Sequence, residues 1–399
     1  MYIATKPDAQ TRISMLGDMS TFDLDGEPAT STEISRNKAD FLARSIYQVK
    51  RSDGPMTVMR TLQTSVCERN CRYCCFRSGR GSTPRLSLSP DEMASCFDKM
   101  YRADVVRGLF LSSGVVGGGV KTMDPMLATA ELLRGKYTYK GYLHLKIMPG
   151  AEAAQVEQAM RLADRVSVNL EAVDDRRLAY LAPQKSLHNE LLSVMNSVHK
   201  IAAGWEPWNK RPSLVTQFVV GPAGESDSEL LGFASRLYRS GNLVRAYYSR
   251  FSPVDDTPLA GEPSTAPIRE HRLYQADWLL RFYGFSFDDI PFDENGNLLH
   301  AEDPKLVWAS RHLLNEPIEV NQADRRQLLR VPGIGPRSVE AILRARRQSR
   351  LRDLSDLRAL GATAKRAAPF VLIDGHRPPR QLRLWKPGTL ETINNGQPL

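Results

Sequence analysis

Four of the five cysteines in this 399-residue chain stand within nine residues, in the run Val66-Cys-Glu-Arg-Asn-Cys-Arg-Tyr-Cys-Cys-Phe76. Cys67, Cys71 and Cys74, spaced C-x3-C-x2-C, can all reach one soft metal centre. A cubane [4Fe–4S] cluster held by three thiolates keeps one iron open for a substrate or cofactor. A structural zinc site instead wants four protein ligands, and Cys75 or the distant Cys96 could supply the fourth. Thiols that serve only as packing are the remaining reading, although such density is unusual for it.

The spacing, with the aromatic Tyr73 before the last cysteine, resembles the signature of the radical S-adenosylmethionine (radical SAM) enzymes. That resemblance implies a [4Fe–4S] cluster whose open iron chelates the amino and carboxylate groups of SAM. Electron transfer from the cluster then cleaves SAM to a 5′-deoxyadenosyl radical. An electron donor is implied as a partner.

No stretch reaches the ~18 consecutive apolar residues of a membrane span, and the N-terminus lacks a basic-then-apolar secretory build. The clustered cysteines suit a reducing compartment, so the expected address is the cytoplasm, with no membrane partner. The charge is concentrated. Of the chain's net +9, residues 321–370 hold 12 basic against 4 acidic side chains, a net +8. A basic excess confined to one short segment points to a polyanion, with a solvated Arg-rich helix face as the alternative.

Residues 1–54 read as a polar, irregular N-terminal extension, in which only Phe41 to Tyr47 hints at a helix. Strands are predicted at Thr61–Val66, Gly108–Leu111, Tyr142–Met148, Arg165–Leu170, Leu214–Val220 and Leu243–Phe251. Intervals between them leave room for crossover helices. Six βα units over residues 55–300 predict an α/β fold, a partial (β/α)6 barrel, which the resemblance also implies. Periodicity alone equally permits an open doubly wound sheet. Ser89, Pro90 and Glu92 mark a helix start, predicted to run through Tyr101. A turn is expected at 293–297 and a connecting helix within 301–316. An all-α module is expected over 317–375, and an extended tail with Pro378, Pro379, Pro387 and Pro398 over 376–399.

Sites in α/β folds collect at the carboxyl ends of strands. There the chain offers Ser113 and Gly114 in a Gly-rich stretch, Asn169 and Glu171 two residues apart, and Val219 and Gly221. The resemblance implies backbone contacts to the SAM amino group at the first, ribose contacts at the second and adenine packing at the third. No acidic residue follows Gly114, and Gln217 stands where the family's adenine element has glycine, so both matches are partial. Arg69, Arg72, Arg77, Arg80 and Arg85 flank the cysteines. They would either compensate an anionic cluster or contact phosphate.

Val320 to Leu343 resembles a helix-hairpin-helix module. Asn321 is the expected N-cap of its first helix, Ile334 plugs the core between Gly333 and Gly335, and Pro336 opens the second helix. Such a hairpin aims backbone N–H groups at a phosphate, with Arg337, Ser338, Arg344 and Arg347 close in sequence to add contacts. Binding of this kind reads the backbone and not the bases. Leu354 to Lys365 looks like a second, degenerate hairpin unit.

From about Gly54 to Ile373 the chain resembles the family of DNA modification/repair radical SAM proteins. The resemblance rests on Gly108 to Gly114, Gly141 to Gly150, Leu181-Ala-Pro-Gln-Lys185 and the Pro-Gly-Ile-Gly segment. It implies a radical SAM enzyme that modifies or repairs DNA and has a partner similar to uracil-DNA glycosylases. Two alternatives stay open: a radical SAM enzyme acting on RNA such as tRNA, and a non-catalytic zinc-containing nucleic-acid binder.

Overall fold

The computed structural model describes residues 7–20, 45–51, 54–206, 211–241 and 243–379. Pro387 and Pro398 of the expected tail, and residues 41–44 of the helix hinted at there, lie outside the described residues. The fold divides into two compact units. The first comprises Met1–Tyr274 with Phe292–Leu298, the second Gln275–Pro291 with Leu299–Leu399.

The first unit is built on a seven-stranded sheet in strict sequence order: β1 (Ile46–Arg51), β2 (Gly54–Leu62), β3 (Gly108–Ser112), β4 (Tyr142–Lys146), β5 (Arg165–Ser167), β6 (Ser213–Val220) and β7 (Leu243–Arg250). Strands β2 to β7 pair in parallel. A doubly wound sheet reverses its order at a switch point; this one never does, so the chain forms the curled half-barrel of the first expectation. Strand β1 pairs antiparallel to β2 and was not predicted. Ile46 and Tyr47 are therefore strand, not helix, and the hairpin crosses the expected boundary at residue 54.

The expected irregular extension holds a helix, α1 (Ala9–Met19), whose Ile13 and Leu16 are buried. Helix α2 (Pro90–Arg102) starts as predicted, with reciprocal bonds between Ser89 and Glu92 completing a capping box. The crossovers continue with α3 (Gly118–Arg134), α4 (Ala153–Leu162), α5 (Asp175–Leu181), a π-helical turn (Leu187–Leu192), α6 (Ser193–Ala203), α7 (Asp227–Arg239) and α8 (Pro267–Phe282). Three strands stop two or more residues short of their predicted ends, and β7 stops one short, at Arg250. Strand β2 ends at Leu62, β4 at Lys146 and β5 at Ser167, because the chain beyond each bends away to build loops at the sheet's carboxyl edge. Leu143, Leu145 and Val166 are fully buried, as expected of strands covered on both faces.

The second unit contains α9 (Pro304–His312), β8 (Ile318–Glu319), α10 (Arg325–Arg330), α11 (Pro336–Ala345), α12 (Leu354–Ala359), α13 (Ala364–Ala367) and β9 (Val371–Leu372). Its core gathers Leu328, Leu329, Val331, Ile334, Val339, Ile342 and Leu357. No helix among the described residues is long and apolar enough to cross a membrane.

Candidate active site

The cysteine loop follows β2 and packs on the loop after β3. Gly114 N–H donates to the Thr64 carbonyl at 2.8 Å, and Glu68 N–H donates to the Val115 carbonyl at 2.8 Å. A Cβ on Gly114 would lie 2.1 Å from the Val66 carbonyl oxygen, so only glycine permits this approach. Glu68 accepts from Gly117 and Gly118 N–H at 2.8 and 2.9 Å, placing a carboxylate at the positive end of α3.

Cys67, Cys71 and Cys74 line one cavity together with Tyr73, Ser113, Gly114, Asn169 and Glu171. Two of the three sulfurs already receive backbone donors: Val115 N–H at 3.4 Å from Cys67 Sγ, and Phe76 N–H at 3.4 Å from Cys74 Sγ. Such bonds suit the negative charge of cluster thiolates. Burial pushes the Cys71 thiol up to about 12, and the Cys67 thiol is also raised, mainly by burial. Thiolate binding of a metal centre would have to offset that burial and release the Cys67 and Cys71 protons. Among the described residues no three His, Cys, Asp or Glu side chains form a group that could hold a metal ion. The donor chemistry around the cavity, three sulfurs of which two have backbone N–H support, fits an iron–sulfur cluster.

Glu171 is the cavity's anion. Its backbone sits in the left-handed region at φ +65°, an uncommon conformation for a residue with a side chain. It is pinned there by Glu171 N–H to the Gln217 carbonyl and Val219 N–H to the Glu171 carbonyl, both 2.9 Å. The side chain meets Lys185 Nζ at 2.8 Å, with only 5% of the Glu171 and 10% of the Lys185 side chain exposed, and shares a hydrogen bond with Tyr73. Burial, then the Glu171 charge, holds the Tyr73 phenol well above its usual value. Asn169 Nδ2 donates to Gln217 Oε1 at 3.2 Å, and Gln217 Nε2 donates to Ser249 Oγ at 2.8 Å. Asn169 and Glu171 therefore present oriented polar groups to the space beside the cysteines.

Val219 and Gly221 are not among the residues lining this cavity. Gly221 has a structural reason of its own: at φ +117° it faces Thr265, whose Oγ1 would lie 2.0 Å from an added Cβ. Its N–H is taken by the Glu225 carboxylate. The arginines flanking the cysteines split in role. Arg85 donates to the carbonyls of Ser65, Phe76, Arg77 and Arg80. Arg80 donates to the carbonyls of Cys75 and Asp255, and Arg69 pairs with Glu190 at 2.8 Å. These three brace the loop. Lys185, Lys146 and Gln217 line the cavity without having been singled out as ligands. No local spacing marks them, because each arrives from a different strand or loop.

In the second unit, Pro332 to Gly335 turns the chain between α10 and α11. Gly333 adopts φ +83°, and a Cβ there would sit 2.5 Å from the Thr363 carbonyl. Gly335 is extended, at φ −108° and ψ 174°, and caps α11. The N-cap of α10 is Asp324, reciprocally bonded with Gln327, and not Asn321. Asn321 instead bonds both backbone groups of Leu351. Ile334 is buried in the core as expected. Arg337, Arg344 and Arg347 are exposed. Ser338 is buried, with its hydroxyl near Gly361, and is not placed to touch a ligand from outside. Lys305 Nζ donates to the Ile334 carbonyl at 2.7 Å, tying the turn from within.

Three solved structures resemble the fold at low identity. HydG, the FeFe-hydrogenase maturase from Carboxydothermus hydrogenoformans, gives a TM-score of 0.43 at 16% identity, covering 56% of this chain and 51% of its own. Methylornithine synthase PylB gives 0.44 at 13%, covering 56% and 61%. The radical SAM methyltransferase TsrM from Kitasatospora setae, with cobalamin and a [4Fe-4S] cluster bound, gives 0.38 at 11%, covering 53% and 39%. The chain thus spans between two fifths and about three fifths of the length of these structures. No curated protein sequence matches. Residues 62–237, from the end of β2 into α7, match the model of the Radical SAM superfamily. The chain carries a radical SAM domain, and the cofactors that belong to it are a [4Fe–4S] cluster and S-adenosylmethionine.

Proposed function

We propose that this protein is a radical SAM enzyme that modifies or repairs nucleic acid, with DNA as the substrate. In this reading Cys67, Cys71 and Cys74 hold the cluster and its fourth iron takes SAM. The observation that carries the enzymatic half is the convergence of those cysteines with Asn169, Glu171 and Tyr73 on one cavity. When bound, the two cofactors supply a radical able to abstract hydrogen from an unreactive C–H bond.

The chain's own residues do the rest. Val115 and Phe76 N–H groups support the cluster sulfurs. Asn169 and Glu171, held by Gln217 and Lys185, offer partners to ribose hydroxyls. Ser113 and Gly114 bring backbone close to the cysteine loop, where the SAM amino group would lie. In the second unit, the turn at Gly333 to Gly335 is read as a helix-hairpin-helix element. Among the described residues neither the Gly333 nor the Gly335 N–H donates to a protein acceptor, which leaves both for a phosphate oxygen. Arg337, Arg344 and Arg347 add charge. A polymer held by backbone contacts would deliver one displaced nucleotide to the barrel.

The deciding experiment has two arms. Anaerobically purified protein is assayed for iron, sulfide and zinc, with electron paramagnetic resonance of the reduced form with and without SAM. About four irons and a signal altered by SAM are expected; stoichiometric zinc without iron overturns the enzymatic reading. Matched DNA and RNA are then compared for binding. Preference for RNA would move the substrate class while leaving the chemistry intact.

A further inference from the structure

Helix α8 ends on two aromatic rings that the fold leaves uncovered. Trp278 and Phe282 are 46% and 44% exposed, and among the described residues no other tryptophan, phenylalanine or tyrosine is as exposed. They stand one helical turn apart on the same face, with ring centroids 4.8 Å apart and planes tilted by 49°. Single apolar residues scattered over a surface need no explanation. A pair held in place does.

Arg281 does the holding. Its guanidinium lies 5.9 Å from the Trp278 ring and 4.6 Å from the Phe282 ring. It is anchored in turn at 2.6 Å on Asp277, whose side chain is fully buried. The rings are thus fixed at the surface, and the Arg281 charge is already spent.

The pair adjoins the hairpin turn of the second unit. Tyr283 follows Phe282, and a Cβ added to Gly335 would lie 3.4 Å from the Tyr283 hydroxyl. Gly284 comes next, and a Cβ there would lie 3.9 Å from Arg326 Cγ. Arg326 is exposed and, among the described residues, makes no side-chain hydrogen bond or ion pair. Exposed ring faces therefore stand near an uncommitted cation and the positive end of α11, in a unit whose residues 321–370 carry a net +8. An apolar protein surface would cover the rings and leave the charge unmet. A nucleic-acid strand meets both, with bases on the rings and phosphates on the cations.

We infer that Trp278 and Phe282 form a stacking platform for unpaired bases of a DNA strand whose phosphates pass Arg326 toward the hairpin turn. The inference deepens the nucleic-acid reading and rests on it. It adds a property that the hairpin does not supply. Phosphate contacts carry no information about the bases, whereas a base can lie on Trp278 only after leaving its own stack. The strand at this face is single or locally opened.

On the full-length protein, fluorescence anisotropy is measured with three probes of about a dozen nucleotides. They are an oligothymidylate, its duplex with oligoadenylate, and an abasic strand that offers phosphates without bases. The oligothymidylate should bind about tenfold more tightly than either of the others. Trp278→Ala and Phe282→Ala should each weaken oligothymidylate binding about tenfold and leave the abasic strand unaffected. Trp278→Phe should restore most of the loss, and Trp278→Leu, which keeps apolar bulk without a ring, should not. The last two carry the comparison should an alanine variant unfold. Equal binding of the oligothymidylate and the abasic strand to the parent overturns the inference, as does duplex binding as tight as that of the single strand. So do alanine variants that bind the oligothymidylate like the parent, or that lose both single strands by the same factor. Self-association of the parent that Trp278→Ala abolishes, with oligothymidylate binding intact, assigns the rings to a second copy of the chain and overturns it too. If no probe binds, the nucleic-acid reading falls with the platform. If all three bind with no gain from unpaired bases, that reading stands and the platform alone falls.

Discussion

The Lys185 ammonium lies 2.8 Å from the Glu171 carboxylate in a buried pair that also acts on Cys71 and Cys74. Removing one partner leaves the other charge buried and alone, at a cost of about 3–5 kcal/mol. Lys185→Met and Glu171→Leu should each destabilise the cluster-free protein by about that amount. The double substitution should recover much of the loss, since two apolar groups leave no uncompensated charge. Urea unfolding of the four proteins checks this; strictly additive losses would show that the pair does not act as a unit.

Gly114 should admit no side chain. Gly114→Ala drives a methyl into the Val66 carbonyl, so the cysteine loop must shift, and iron incorporation should fall severalfold or more. Cys96→Ser, at a partly buried cysteine on α2, should leave iron content unchanged. Iron and sulfide assays after anaerobic reconstitution test both. Loss of iron in Cys96→Ser would favour the zinc-type ligand set.

The two hairpin glycines should respond differently. Gly333→Ala combines a left-handed backbone with a Cβ 2.5 Å from the Thr363 carbonyl, and should destabilise the second unit by about 2–3 kcal/mol. Gly335→Ala is extended and meets only Tyr283 Oη, at 3.4 Å, so the fold should tolerate it. If the turn contacts phosphate, Gly335→Val should weaken DNA binding while leaving SAM cleavage alone. Hydrogen exchange of α10 and α11 amides, with DNA titrations, separates folding from binding.

Lys305 makes the second unit sensitive to alkaline pH. Burial lowers its ammonium from an ordinary 10.5 to about 7, with Arg366 adding to the effect and Asp303 opposing it. Between those values the unfolded chain binds a proton that the folded chain does not. Stability therefore rises as pH climbs from about 7 to about 10.5, on the order of 2–4 kcal/mol in all. Lys305→Met should flatten that slope. Hydrogen exchange of α9 and α11 amides at several pH values gives the readout.

Arg12 holds α1 against α2 through Glu92. The Arg12 hydrogen bond, then the Ser89 backbone, lowers the Glu92 carboxyl from 4.5 to about 2. This stabilisation is complete above pH 4.5 and is lost as pH falls toward 2. Glu92 is 36% exposed, so solvent screening limits the effect to about 1 kcal/mol. Exchange protection of α1 amides should decline across that window in the parent and be low and flat in Arg12→Met.

Much of the first unit could be read from local signals. The Ser89 and Glu92 capping box marks α2 within a residue, because both partners lie within one turn of chain. The strands from Gly108 onward appear as apolar runs because their residues are buried on both faces. Strand β1 escaped notice because Ile46 to Arg51 is an edge strand of mixed polarity, and its pairing with β2 leaves no apolar run to see. Asn321 and Asp324 are both good caps in isolation. Which one starts the helix depends on Leu351, thirty residues on, which claims the Asn321 side chain.

By itself the sequence determined the cysteine loop, the alternation that yields six parallel strands, and the concentration of charge in residues 321–370. Each is a matter of spacing along the chain. The tertiary structure alone decided that Lys185 closes on Glu171, that Arg85 braces the cysteine loop through four carbonyls, that Val219 and Gly221 stand off from the cavity, and that His144 stands in register with Arg165, and Lys146 with Ser167. Those relationships depend on strand register and on which face each side chain takes. A shift of one residue in register moves every side chain of a strand to the other face, and no local pattern records which register the folded sheet adopts.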